Sequence, residues 1–97
     1  MIGSFRDGNN SSLAVFYFDN TRSGDIPASL IKPLRRKLSL LESATTENML
    51  LVPPGNHFEQ ISRNLHGWSG IRVTIQWRMI FQWREGYACE LYLEPNN

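Results

Sequence analysis

Between Ser69 and Trp83 apolar and polar positions alternate along the chain. Ile71, Val73, Ile75, Trp77, Met79, Phe81 and Trp83 form one series, and Arg72, Thr74, Gln76, Arg78, Ile80 and Gln82 the other, with only Ile80 out of pattern. A period of two is that of a strand with one face on a core and the other open. The run is long for one strand. A hairpin with a three-residue loop at Thr74-Ile75-Gln76 keeps the parity, because residues four apart then face the same way. The odd series is core. The even series puts arginines on the open face, and that needs a reason.

Elsewhere the pattern changes period. Leu30, Ile31, Leu34, Leu38 and Leu41 recur at helical spacing, predicting a helix from Ser29 to Ser43 with Lys32, Arg35, Arg36 and Lys37 on its flanks. Pro33 is tolerable there near the first turn, where few amides have helical partners. Ile2 to Phe5 reads as a short first strand. Leu13 to Phe18 suits a short helix capped by Ser12, or a strand on account of its aromatics. Ser23-Gly24-Asp25-Ile26-Pro27 is a loop, Ala44 to Leu51 holds another short helical turn, and Pro53-Pro54-Gly55-Asn56 forbids regular structure. A strand follows near Phe58 to Ile61, then a polar loop from Asn64 to Ser69. Glu85-Gly86 is a turn, and Tyr87 to Leu93 the last strand. The order of strand, helices and antiparallel meander predicts a two-layer α+β sandwich.

Composition narrows this picture modestly. The 97 residues suit a single domain, 1–97, and the 41% hydrophobic and 20% charged residues are those of an ordinary folded protein. A formal net charge of +1 demands no nucleic-acid partner, so any such claim rests on where the charges lie. The lone Cys89 has no internal disulfide partner and reads as a small buried hydrophobe in a reducing compartment. No apolar run has membrane-spanning length and MIGSFRDG lacks the core of a signal peptide, so the expectation is a cytoplasmic protein without a membrane partner.

Familiar enzyme motifs are nearly absent. His57-Phe58-Glu59 has the H-x-E spacing of a zinc deaminase, but one cysteine cannot supply the remaining ligands, and two histidines make a poor zinc site. No metal or cofactor is expected. The cluster Lys32, Arg35, Arg36, Lys37 could bind phosphates or an acidic protein, or form a solvated helix face. Trp68, Trp77 and Trp83 could stack on bases. The two in the alternating run belong more naturally to the core, while Trp68, in a polar loop, is the better candidate for exposure. Arg72, Arg78 and Arg84 on the even face could meet a phosphodiester, or only line a wet sheet face. Glu59 precedes them on the neighbouring strand, so a carboxylate and the Arg72 guanidinium could face each other there.

Four stretches together resemble the HigB branch of the RelE-like toxins, the mRNA interferases of bacterial toxin–antitoxin modules. They are MIGSFRD, LRRKLSLLESATT, VPPGNHFEQI and IRVTIQWRMIFQW, and PPGN followed by a strand pair ending in QWR is the specific part. The resemblance implies a RelE-like α+β fold, an antiparallel β-sheet with N-terminal helices packed on one face. It implies ribosome-dependent cleavage of mRNA, commonly in the ribosomal A site, and inhibition by a helix-turn-helix, HigA-like antitoxin. By position, Glu59 falls where relatives carry a general base for a ribose 2′-OH. Arg72 falls where an arginine stabilises charge on the scissile phosphate, and Arg78 is the arginine of the W-R motif. The helix residues Arg35, Arg36 and Lys37, with Trp68, are the candidate RNA contacts. Such a reaction needs no metal, because RNA carries its own nucleophile.

The chain also departs from that pattern. Many relatives end in an acid, one residue, then a histidine, where this sequence has Glu94-Pro95-Asn96. An amide at Asn96 cannot donate a proton as imidazolium does. Ser62 and Leu65 stand where relatives often carry Lys and Arg, and Thr74-Ile75-Gln76 where they have an Asn-Asp loop. Two functions are therefore carried forward: an endoribonuclease toxin using Glu59, Arg72, Arg78 and Asn96, and a weakened module of the same fold that binds antitoxin or ribosome without efficient cleavage.

Overall fold

The computed structural model describes residues 1–61 and 67–95. Helices α1 (Ser12–Asp19) and α2 (Ile31–Ser43) precede four strands, β1 (Glu59–Ile61), β2 (Trp68–Arg72), β3 (Trp77–Arg84) and β4 (Tyr87–Pro95). The strands form one antiparallel sheet in the order β1-β2-β3-β4. This is the α+β, RelE-like arrangement that the hydrophobic pattern and the resemblance predict.

Local chemistry explains where elements begin. Leu13 to Phe18 is helical, and the cap is Ser11 rather than Ser12: the Ser11 hydroxyl accepts from the Ala14 amide. Ser12 Oγ instead donates to Asp25. The predicted Ser29–Ser43 helix is split, with a 3₁₀ turn at Ala28–Leu30 before α2. Leu34, Leu38 and Leu41 of α2 are buried while Lys32, Arg35 and Arg36 are exposed, as an amphipathic helix on a core requires. Residues Ile2 to Phe5 form no continuous strand. They make two isolated parallel bridges to β4, at Ile2–Ala88 and Phe5–Leu91. Pro53-Pro54-Gly55-Asn56 is more ordered than expected, because Pro54–Asn56 makes a 3₁₀ turn.

The β2–β3 register pairs Arg72 with Arg78, which leaves Thr74-Ile75-Gln76 as the hairpin loop. Glu85 and Gly86 both have positive φ, as a two-residue turn matched to strand twist demands. Ile71, Val73, Met79 and Phe81 lie in one buried cluster with Leu34, Leu38 and Leu41, so the odd face of the strands is core, while Ile75, at the loop, is 80% exposed and not part of it. Ile80 is fully buried on the opposite face, where Ile61 and Ile80 border Gly70 and the Trp68 and Tyr92 rings meet edge to face at 5.9 Å. That second apolar patch explains the one break in the alternation. Trp68 is thus not a loop residue; it opens β2, half-buried against Tyr92. Cys89 is half-buried and unpaired.

Between β3 and β4 the register slips, with Ile80 opposite Tyr92 but Gln82 opposite Cys89. The extra residue is a β-bulge, and Glu90 adopts a positive φ of 55° within it. A bulge reverses the facing of every residue beyond it. Without it Leu93 would sit opposite Arg78; with it Glu94 does.

Candidate active site on the polar sheet face

Glu59 stands on β1 opposite Gly70 of β2, and Arg72 of β2 stands opposite Arg78 of β3. Two like charges directly across a sheet are unfavourable unless compensated. Arg78 is compensated twice. Its Nη1 donates to Glu59 Oε1 at 3.0 Å, and its Nε and Nη2 both donate to Glu94 Oε2, at 2.9 and 2.6 Å. Arg78 and Glu94 are mostly covered, whereas the Glu59 side chain is 58% exposed. The guanidinium partner of Glu59 is therefore Arg78, which reaches across β2, rather than Arg72.

Arg72 is left differently placed. Its Nη1 lies 3.4 Å from His57 Nε2, and its Nε is buried without a hydrogen-bond partner. A buried guanidinium N–H with no acceptor is unfavourable, and an anion is its natural complement. His57, Phe58, Glu59, Gly70, Ile71, Arg72 and Arg78 line one cleft of about 420 Å³. Sequence positions far apart thus converge: Glu59, Arg72 and Arg78 share one wall.

The turn before the cleft is held from beneath. Asn56 is fully buried, its Nδ2 donates to the carbonyls of Leu50 (3.1 Å) and Val52 (3.2 Å), and its Oδ1 accepts from Lys37 Nζ. Burial, with the neighbouring Arg36 charge second, lowers the Lys37 pKa. Lys37 is accordingly a scaffold contact within the fold. The Arg35 guanidinium lies 4.8 Å over the Phe16 ring, and Arg36 is exposed. Neither lines the cleft. Trp68 is on the same sheet face as Arg72, joined to Tyr92, over whose ring the Arg6 guanidinium sits at 3.7 Å. Burial, then the Glu94 charge, raises the Tyr92 pKa. Asn96, His66, Ser62 and Leu65 lie outside the described residues. Among the described residues no group of three His, Cys, Asp or Glu side chains is arranged to hold a metal ion, and no helix is long and apolar enough to cross a membrane.

A carboxylate and two guanidinium groups thus share one cleft on the polar face of a sheet backed by two helices, and comparison with known proteins gives the class of this fold. A model of the RelE-like toxin HigB of type II toxin–antitoxin systems matches residues 4–96, and the chain belongs to that family. It is 48% identical over 84 residues to Toxin HigB-1 of Vibrio cholerae serotype O1, covering 87% of this chain and 88% of that one. It is 33% identical over 93 residues to an uncharacterized protein of Haemophilus influenzae, covering 96% and 89%. The protein is thus a type II toxin of HigB type, and an antitoxin is its partner. His57, weighed in the sequence only as a zinc-type spacing, lines the cleft as well. Its spacing of two from Glu59 was the available signal.

Proposed function

We propose that this toxin is an endoribonuclease that cleaves mRNA in the ribosomal A site and is silenced by a helix-turn-helix, HigA-like antitoxin. The observation that carries the reading is the convergence of Glu59, Arg72 and Arg78 on one cleft. Glu59 removes the proton from a ribose 2′-OH, and the 2′-oxygen attacks the adjacent phosphorus. Arg72 stabilises the charge that builds on the phosphate oxygens; its unpartnered Nε and its Nη1 supply donors for them. Arg78, already shared between Glu59 and Glu94, orients the base rather than gripping phosphate. The nucleophile belongs to the RNA, so positioning and charge stabilisation suffice and the step runs without a metal.

The setting is then the cytoplasm, where ribosomes supply the substrate. Inducing the chain without antitoxin and mapping mRNA 5′ ends tests the reading. New ends clustered within coding regions, lost in Glu59→Ala, are the expected result. Intact transcripts at high folded expression would instead favour a module that binds without cleaving, the reading to which Asn96 in place of a histidine points.

A further inference from the structure

Cleavage through a ribose 2′-oxygen requires two proton transfers. As the 2′-O–P bond forms, its proton passes to a base; as the P–O5′ bond breaks, the 5′-oxygen must receive one. The products are a 2′,3′-cyclic phosphate and a 5′-hydroxyl. Glu59 serves the first transfer, and a carboxylate that has just taken a proton on the nucleophile's side is badly placed for the second.

His57 has the right chemistry and the right place. It lines the same cleft as Glu59 and Arg72, and its Nε2 is the nitrogen turned to Arg72 Nη1, 3.4 Å away. A phosphate gripped by Arg72 therefore lies within reach of that nitrogen. The residue is held in an uncommon conformation, with φ 44° and ψ 47° in the left-handed region. Non-glycine residues stay there only where surroundings impose it, and such sites cluster at functional positions. The surroundings are explicit: the His57 amide donates to Pro54 O at 3.0 Å, and buried Asn56 anchors the turn to Leu50, Val52 and Lys37.

We propose that His57 is the proton donor to the leaving 5′-oxygen, an assignment that rests on the nuclease reading above. The Arg72 contact leaves Nε2 as the ring nitrogen aimed at a phosphodiester that Arg72 holds. The groups facing His57 are Arg72 from β2, Glu59 from β1 and Arg78 from β3, with Glu94 of β4 behind Arg78. From α2, Lys37 is already bonded to Asn56.

The test is single-turnover cleavage on programmed ribosomes, with mRNAs carrying oxygen or sulfur as the bridging 5′ atom at a mapped cleavage position. A thiolate leaves readily without a proton, because thiols ionise near pH 8.5, far below alcohols. The variant is His57→Asn, since asparagine tolerates the left-handed backbone; its melting temperature verifies folding. His57→Asn should slow the oxygen substrate by about 10²- to 10⁴-fold and the sulfur substrate very little. Wild-type cleavage of the oxygen substrate should fall as pH rises through the imidazolium range, and the variant should lack that limb. Equal slowing of both substrates would overturn the assignment, leaving His57 a positioning residue, and an unchanged oxygen rate would overturn it too. Absence of cleavage by the wild-type chain would overturn the nuclease reading itself, and the assignment with it.

Discussion

Asn56→Ala isolates the contribution of the turn that seats the cleft. The Asn56 side chain is fully buried and makes three hydrogen bonds, two donated to the Leu50 and Val52 carbonyls and one accepted from Lys37. Each neutral bond contributes about 1 kcal/mol net. The bond from the ammonium would be worth more if buried, but Lys37 can swing toward water, so about 1 kcal/mol is the appropriate allowance there too. The loss totals about 3 kcal/mol. For a domain of this size 1 kcal/mol moves the melting temperature by about 4–8 °C, so Asn56→Ala should melt about 12–24 °C below wild type. Thermal unfolding followed by circular dichroism reads this directly. Lys37→Met, which keeps most of the alkyl stem and removes the charge, should cost less than Asn56→Ala. Combined, the two should cost less than their sum, because each has already broken the shared bond. A fall of less than about 4 °C for Asn56→Ala, or strict additivity with Lys37→Met, would refute the account of Asn56 as the anchor of this turn.

Arg72→Ala should slow single-turnover cleavage by about a hundredfold or more while ribosome affinity changes little, the signature of a donor used in the transition state; an equal collapse of binding would make Arg72 a docking residue. Arg36, exposed on α2, should contribute one long-range charge to RNA binding, so Arg36→Glu should flatten the salt dependence of ribosome affinity. An unchanged salt slope returns it to the solvated surface, and Lys37 should show no such effect beyond its stability cost. Hydrogen bonds from Ser12, then Ser23, hold the Asp25 pKa below the ordinary carboxylate range. That contribution is present above the unfolded-state value and lost as pH falls through the folded one, so Asp25→Asn should remove part of the acid loss of stability measured by denaturant titration.

The parts of the fold that were legible are those where one periodicity dominates. Ile71 to Phe81 and Leu30 to Leu41 announce their core faces because burial selects the same residue types at every repeat. Contacts made at a distance announce nothing. Ile2 and Phe5 bridge β4 through residues more than eighty positions later, and a four-residue apolar segment gives no sign of a parallel partner. Trp68 looked like a loop residue because polar neighbours precede it, whereas its place is decided by Tyr92, which reaches it only across β3. In the site, residue types were legible and pairing was not. Glu59 and Arg72 appeared to face each other, yet the ion pair goes to Arg78, a pairing that depends on the β1–β2–β3 register and on side-chain reach across β2. His57 was readable as a zinc-like spacing only. Its place in the cleft with Glu59 depends on the left-handed turn at His57, which a spacing of two does not announce.

Charge in and around the cleft is balanced in sum and uneven in place. Arg72 and Arg78 are offset by Glu59 and Glu94, so these four formal charges cancel. Cancellation is uneven in space, however. Arg78 is held by both acids, while Arg72 touches only His57 and keeps an unpartnered N–H. The bulge at Glu90 creates this asymmetry by bringing Glu94 opposite Arg78; the alternative register would put Leu93 there, leaving Glu59 to compensate Arg78 alone. An RNA phosphate of the proposed substrate would therefore meet Arg72 rather than Arg78, because only Arg72 has no carboxylate partner.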